Sequence, residues 1–115
     1  MSRINAFVLD FAATHEAIPA TLGYEGYEYA CCTSVNHVVC HGFPNEKKLR
    51  EGDIVNVDVT LIHDGWYGDS SRMYVVGKPK RAAERLIQIA HEAMMQGIRV
   101  VHPGARLGDI GHAIQ

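Results

Sequence analysis

IVNVDVTLIHDGWYGDSSRMYVV, residues Ile54 to Val76, holds two runs of strand-forming residues around a short polar break. Val55, Val57, Val59 and Leu61 alternate with Asn56, Asp58 and Thr60, a period of two that sends the two sets to opposite faces. His63-Asp64-Gly65 is a turn signal and Trp66 to Val76 a second strand, so the stretch predicts an antiparallel hairpin ended by Gly77 and Pro79. Asp58 is out of character there, because acidic residues are disfavoured inside a valine-rich strand. If Leu61 pairs with Trp66 across a four-residue loop, Asp58 falls directly opposite Asp69 on the same face. Carboxylates facing each other at about 5 Å repel unless they share a proton or a cation. Hard oxygen ligands on rigid strands suit a divalent ion, and two ions about 3.5–4 Å apart can activate water for hydrolysis. The competing reading has a different register, with one aspartate in solvent.

Working outward, Ile4, Phe7, Val8, Phe11 and Ala12 recur at three and four residues, the stripe of an amphipathic helix with Ser2 as N-cap that fades near Ile18-Pro19. Thr21 to Tyr29 reads as an ordered loop around Gly23 and Gly26, strand propensity rises from Tyr29 to Val39, and Pro44 to Asp53 is a polar turn-forming segment. On the other side, Arg81 to Val101 predicts a helix burying Ala82, Leu86, Ala90, Ala93, Met94, Gly97 and Val101, stopped by His102-Pro103-Gly104. Leu107, Ile110 and Ile114 begin another helical stripe. The order implies an α+β fold, one sheet covered by helices on one face.

The totals narrow the function. With 115 residues, 47% of them hydrophobic and 21% charged, the chain has the composition of one soluble globular domain. A net charge of −2 with scattered basic residues gives no footprint for nucleic acid or an anionic membrane. No apolar run approaches the roughly 20 residues of a membrane span, and residues 1–10 lack the apolar core of a signal peptide, which points to the cytoplasm. Cys31, Cys32 and Cys40 are odd in number, lack the C-x2-C spacing of a zinc site, and read as small buried hydrophobes.

The run Ser34-Val35-Asn36-His37-Val38-Val39-Cys40-His41-Gly42, then Gly52 to Thr60, then Asp64 to Met73, resembles the type I methionine aminopeptidase pattern, nearly without gaps. The likeness extends through Leu22 to Tyr27 before it and Val76 to Pro79, Pro103-Gly104 and Ile110-Gly111 after it. It implies half of a pita-bread fold, with residues 1–115 a partial catalytic domain truncated at both ends. The activity implied is hydrolytic removal of N-terminal methionine from peptides and nascent proteins. The resemblance assigns Asp58 to one divalent metal ion and Asp69 to the bridge between two, which the family takes as Co, Mn, Fe or Zn. His41 becomes the catalytic residue that binds substrate beside the scissile amide, and Tyr24, Tyr27 and Cys32 the lining of the methionine pocket. A monovalent cation is implied on backbone oxygens near Asn36 and Val38.

His37 departs from the pattern, standing where many relatives carry an acidic residue, and Ser70 replaces a commoner threonine. The family's remaining ligands, a histidine and two glutamates, belong to a second half that these residues do not match. The chain alone is therefore expected to be inactive or nearly so. Two other classes compete: a noncatalytic pita-bread module that binds a peptide or partner, against which the retention of both aspartates argues, and a half domain that self-associates through its sheet edge and last helix.

Overall fold

The computed structural model describes all residues from Met1 to Gln115, in two compact units, Met1–Pro79 and Lys80–Gln115. Helix α1 (Ser2–Thr14) leads the first unit, followed by the strands β1 (Ile18–Pro19), β2 (Cys32–Val35), β3 (Ile54–His63) and β4 (Trp66–Val75). Helices α2 (Arg81–Arg99) and α3 (Leu107–Ile114) make the second. The α+β expectation holds, and every strand pairing is antiparallel.

Strand β3 organises the sheet because it pairs with all the others. A strand has two edges, so two of its three partners share one: β1 opposes Leu61 and Ile62, while β2 opposes Val55 to Asp58. The second edge takes β4 along its whole length. The core lies against the first half of the sheet, where Val8 of α1 meets Ala30 and Cys31, with Ile4 and Val59 packed around them.

The hairpin register differs from the sequence expectation by two residues. His63, not Leu61, pairs with Trp66, so the loop is Asp64-Gly65 alone. Both loop residues have positive φ, 49° and 79°, which is the type I′ turn whose twist matches that of the flanking strands. A two-residue slip preserves faces, because side chains alternate with a period of two. Asp58 and Asp69 therefore share a face, but as diagonal neighbours: Asp58 opposes Ser71, and Asp69 opposes Thr60.

Other boundaries also moved. Helix α1 begins at Ser2 itself with Met1 as N-cap, because the Ser2 N–H is taken by the Asn45 carbonyl, 3.1 Å away. Val8 and Ala12 of its stripe are buried, whereas Phe7 and Phe11 stay exposed. Strand β2 stops at Val35 because Asn36 turns to φ 53° and the Val38 N–H folds back onto the Val35 carbonyl. Cys31 and Cys32 are buried as expected, but Cys40 lies exposed beyond that bend. In the second unit only Gly97 of α2 is buried. Ala82, Leu86, Ala90, Met94 and Val101, expected inside, are exposed. Gly97 is needed there, since a Cβ would stand 2.9 Å from the Ile114 side chain of α3.

Candidate active site

A cavity of about 520 Å³ opens beside β2. It brings together Tyr24, Tyr27, Cys32 and His41, all four of the residues named for the methionine pocket and the scissile amide. Tyr24 comes from a short 3-10 turn, Tyr24–Gly26, entered through Gly23 at φ 83°. Tyr27 follows directly. Its hydroxyl donates to the Cys31 carbonyl at 3.0 Å and the Gly42 carbonyl at 3.3 Å, tying the turn to β2 and to the segment carrying His41. Burial, then the neighbouring Cys32 sulfur, push the Tyr27 phenol well up, so it stays a protonated donor. Burial likewise pushes the Cys31 thiol up to about 11.

Thr21 and Phe43 also line this cavity, and sequence reasoning missed both. The Thr21 hydroxyl donates to the Tyr29 carbonyl at 2.9 Å, closing the loop, and the Phe43 ring lies 5.5 Å from that of Tyr27. The signal available for Phe43 was its place two residues beyond His41, where a large apolar side chain in a polar stretch needs a neighbour.

His41 is exposed and sits in the left-handed backbone region at φ 54°, an uncommon state for a residue with a Cβ. The residue after it makes the turn possible. A Cβ on Gly42 would collide with the Thr33 carbonyl oxygen. Without one, the Gly42 N–H reaches the buried Ser34 hydroxyl at 3.1 Å, and its carbonyl accepts the Thr33 N–H at 2.8 Å. His41 is thereby fastened against β2 from one side.

The carboxylates begin one strand away, since Cys32 lies opposite Asp58 in the ladder. Asp58 is half-buried and Asp69 exposed, with the Thr60 hydroxyl donating to Asp69 at 2.9 Å. Burial first, and then the charge of Asp69, raise the Asp58 carboxyl above its ordinary value, while nearby His41 acts the other way. The pair thus carries a like-charge contact that Thr60 and His41 only partly relieve, and its hard oxygens fit a divalent cation. No third carboxylate, histidine or cysteine completes a metal-sized cluster with them.

Asn36 and Val38, named for a monovalent cation, border a separate cavity of about 390 Å³. There the Asn36 amide donates to Asp53 at 2.9 Å and its oxygen accepts the Ile54 N–H at 3.1 Å. His37 lies on the same rim. No helix of the chain is long and apolar enough to cross a membrane.

The chain resembles known proteins over nearly its whole length. The chain is 60% identical over 112 residues to a methionine aminopeptidase of Rickettsia prowazekii, covering 97% of this chain and 43% of that protein. The crystal structure of methionine aminopeptidase from Rickettsia prowazekii superimposes with a TM-score of 0.97 at 59% identity, over 99% of this chain and 46% of that one. The corresponding enzyme of Thermotoga maritima gives 0.94 at 41% identity, over 98% and 46%. The chain thus spans less than half the length of these relatives, and its sheet and helices are those of half their pita-bread fold. Residues 2–115 match the model of metallopeptidase family M24, and the chain belongs to that family.

Proposed function

We propose that residues 1–115 form a partial catalytic domain of a metal-dependent methionine aminopeptidase, the part that holds the methionine side chain and supplies the first two metal carboxylates. The observation that carries this reading is the convergence of Tyr24, Tyr27, Cys32 and His41 on one cavity, with Cys32 opposite Asp58. Aromatic and sulfur surfaces suit a thioether, and a cavity of about 520 Å³ is ample for a methionine side chain. His41, held at the mouth by the Gly42 turn, is the hydrogen-bonding partner for the amide that follows methionine. The substrates are peptides and nascent proteins with N-terminal methionine, met in the cytoplasm.

Asp58 and Asp69 would hold two divalent ions, drawn from Co, Mn, Fe and Zn, and a monovalent ion would sit by Asn36 and Val38. When bound, the divalent pair supplies activation of water for attack on the amide. Two carboxylates are too few to hold such ions tightly, because ligand number sets both geometry and affinity. The chain alone therefore releases no measurable methionine from a Met-Ala peptide. Calorimetric titration with Mn(II) and Co(II), beside the Asp58→Ala, Asp69→Ala double variant, tests the assignment. Weak binding that vanishes in the variant supports it. Equal heats in both proteins would overturn it.

A further inference from the structure

Asp64-Gly65 is the one Asp-Gly step in the sequence, which has no Asn-Gly step. These two residues are the whole loop between β3 and β4, with φ 49° and 79°. The Asp64 side chain is 86% exposed, and its one ion-pair neighbour is His63, 3.6 Å away. The Gly65 N–H has no backbone acceptor, and a Cβ built on Gly65 would meet nothing within 4 Å. A carboxyl group one methylene from the backbone thus stands beside an amide nitrogen that is neither bonded nor screened. Every other aspartate precedes a residue with a side chain, and Asp53, Asp69 and Asp109 already accept hydrogen bonds.

We propose that Asp64-Gly65 is a site of spontaneous backbone modification, where Asp64 closes to a cyclic imide with Gly65 and reopens as isoaspartate. The five-membered ring needs the Asp64 Cβ and the Gly65 nitrogen on the same side of the Cα–C bond. A type II′ turn supplies that arrangement, keeping the positive φ of its first residue and setting ψ to about −120°. It differs from the observed type I′ turn by a flip of the Asp64–Gly65 peptide, and both turns close a hairpin in two residues. The flip carries the Gly65 φ from positive to negative, which glycine adopts equally well. In the flipped turn the Gly65 nitrogen attacks Asp64 Cγ. The N–Cγ bond forms and the Cγ–O bond breaks. The departing oxygen leaves as water with the Gly65 amide proton and a second proton, from the His63 imidazolium or solvent. Water then opens the imide at the former backbone carbonyl, which becomes the free carboxylate and returns that second proton. Composition is unchanged, but the chain now runs through the Asp64 side chain and the loop is one methylene longer. The reaction rests on the turn alone, whether or not Asp58 and Asp69 bind metal.

The folded 115-residue chain, kept at neutral pH for several weeks, should accumulate isoaspartate in the peptide containing Asp64 ahead of any other. Proteolytic mapping and isoaspartate-specific enzymatic methylation read it out. Asp64→Glu, whose ring would have six members, should lose the signal. Asp64→Asn keeps the hairpin, because Asn-Gly is a preferred type I′ loop, and should react faster, replacing an amide by an acid at each event. A folded chain that forms isoaspartate no faster at Asp64 than at Asp69 would overturn the proposal. So would a signal that survives Asp64→Glu, an Asp64→Asn chain that stays intact, or a reaction seen only after unfolding in urea.

Discussion

The cavity beside β2 and the carboxylate pair on β3 and β4 are neighbours, yet they are finished to different degrees. The cavity side is bound to itself: Tyr27 holds two carbonyls, Ser34 holds Gly42, and Gly42 holds Thr33. Across the ladder, Asp58 is raised by burial and by Asp69, and only Thr60 and a nearby histidine relieve the pair. An apolar pocket needs only packed walls and satisfied backbone groups, which local chain can provide. A charged site needs counter-charge, and here that must come from outside the two strands. The difference separates what this stretch of chain stabilises by itself from what destabilises it in the absence of a ligand.

Substitutions on the two sides should therefore have opposite signs. The largest effect is expected at Gly42→Ala, where the new methyl group meets backbone and cannot be accommodated by rotation. A loss of about 3 kcal/mol, the upper range for overpacking, should appear in thermal or urea melts. An unchanged melting temperature would mean the His41 turn is not tightly fastened. Next comes Ser34→Ala, which removes the acceptor for the Gly42 N–H in a buried place and should cost about 2 kcal/mol by the same measurement.

The smallest effect, and the one that sharpens the contrast, is a gain at Asp58→Asn. The folded chain holds the Asp58 proton more tightly than the unfolded chain does, so this aspartate favours folding only while protonated. That contribution is present below the ordinary carboxylate value of 3.8 and is lost as pH rises through the raised one. At pH 7 the asparagine variant should melt higher than wild type, and the difference should disappear on acidification below 3.8. A variant less stable at pH 7 would show that some unrecognised partner already satisfies Asp58.

How far the sequence reveals this arrangement depends on the range of the interactions involved. Period-two alternation in Val55 to Leu61 is local, so β3, the hairpin and the common face of Asp58 and Asp69 are all legible. The register is decided by the turn, and a choice between two loops that both contain Asp64-Gly65 leaves a two-residue ambiguity. Strand β1 is two residues long and includes a proline, and it exists only because Ile62 and Leu61 lie beside it. Strand β2 ends at Asn36 through a left-handed backbone turn that valine-rich propensity up to Val39 conceals.

The site divides the same way. Tyr24, Tyr27, Cys32 and His41 were named from a motif resemblance and meet at one cavity. Thr21 and Phe43 belong to no periodic pattern and reach that cavity through loop closure alone. The buried face predicted for α2 was wrong at Ala82, Leu86, Ala90, Met94 and Val101 because periodicity marks an apolar stripe without saying whether anything covers it.

The diagonal placement of Asp58 and Asp69 has a consequence for how this segment tolerates insertions and deletions. One residue added or lost between Trp66 and Asp69 would turn the Asp69 carboxylate to the face that carries Val57 and Val59, parting it from Asp58. Two residues would return it to the original face, one step along the ladder. Length changes in this stretch are thus constrained by parity more than by size, and an even change is the only kind that leaves both acids on one surface.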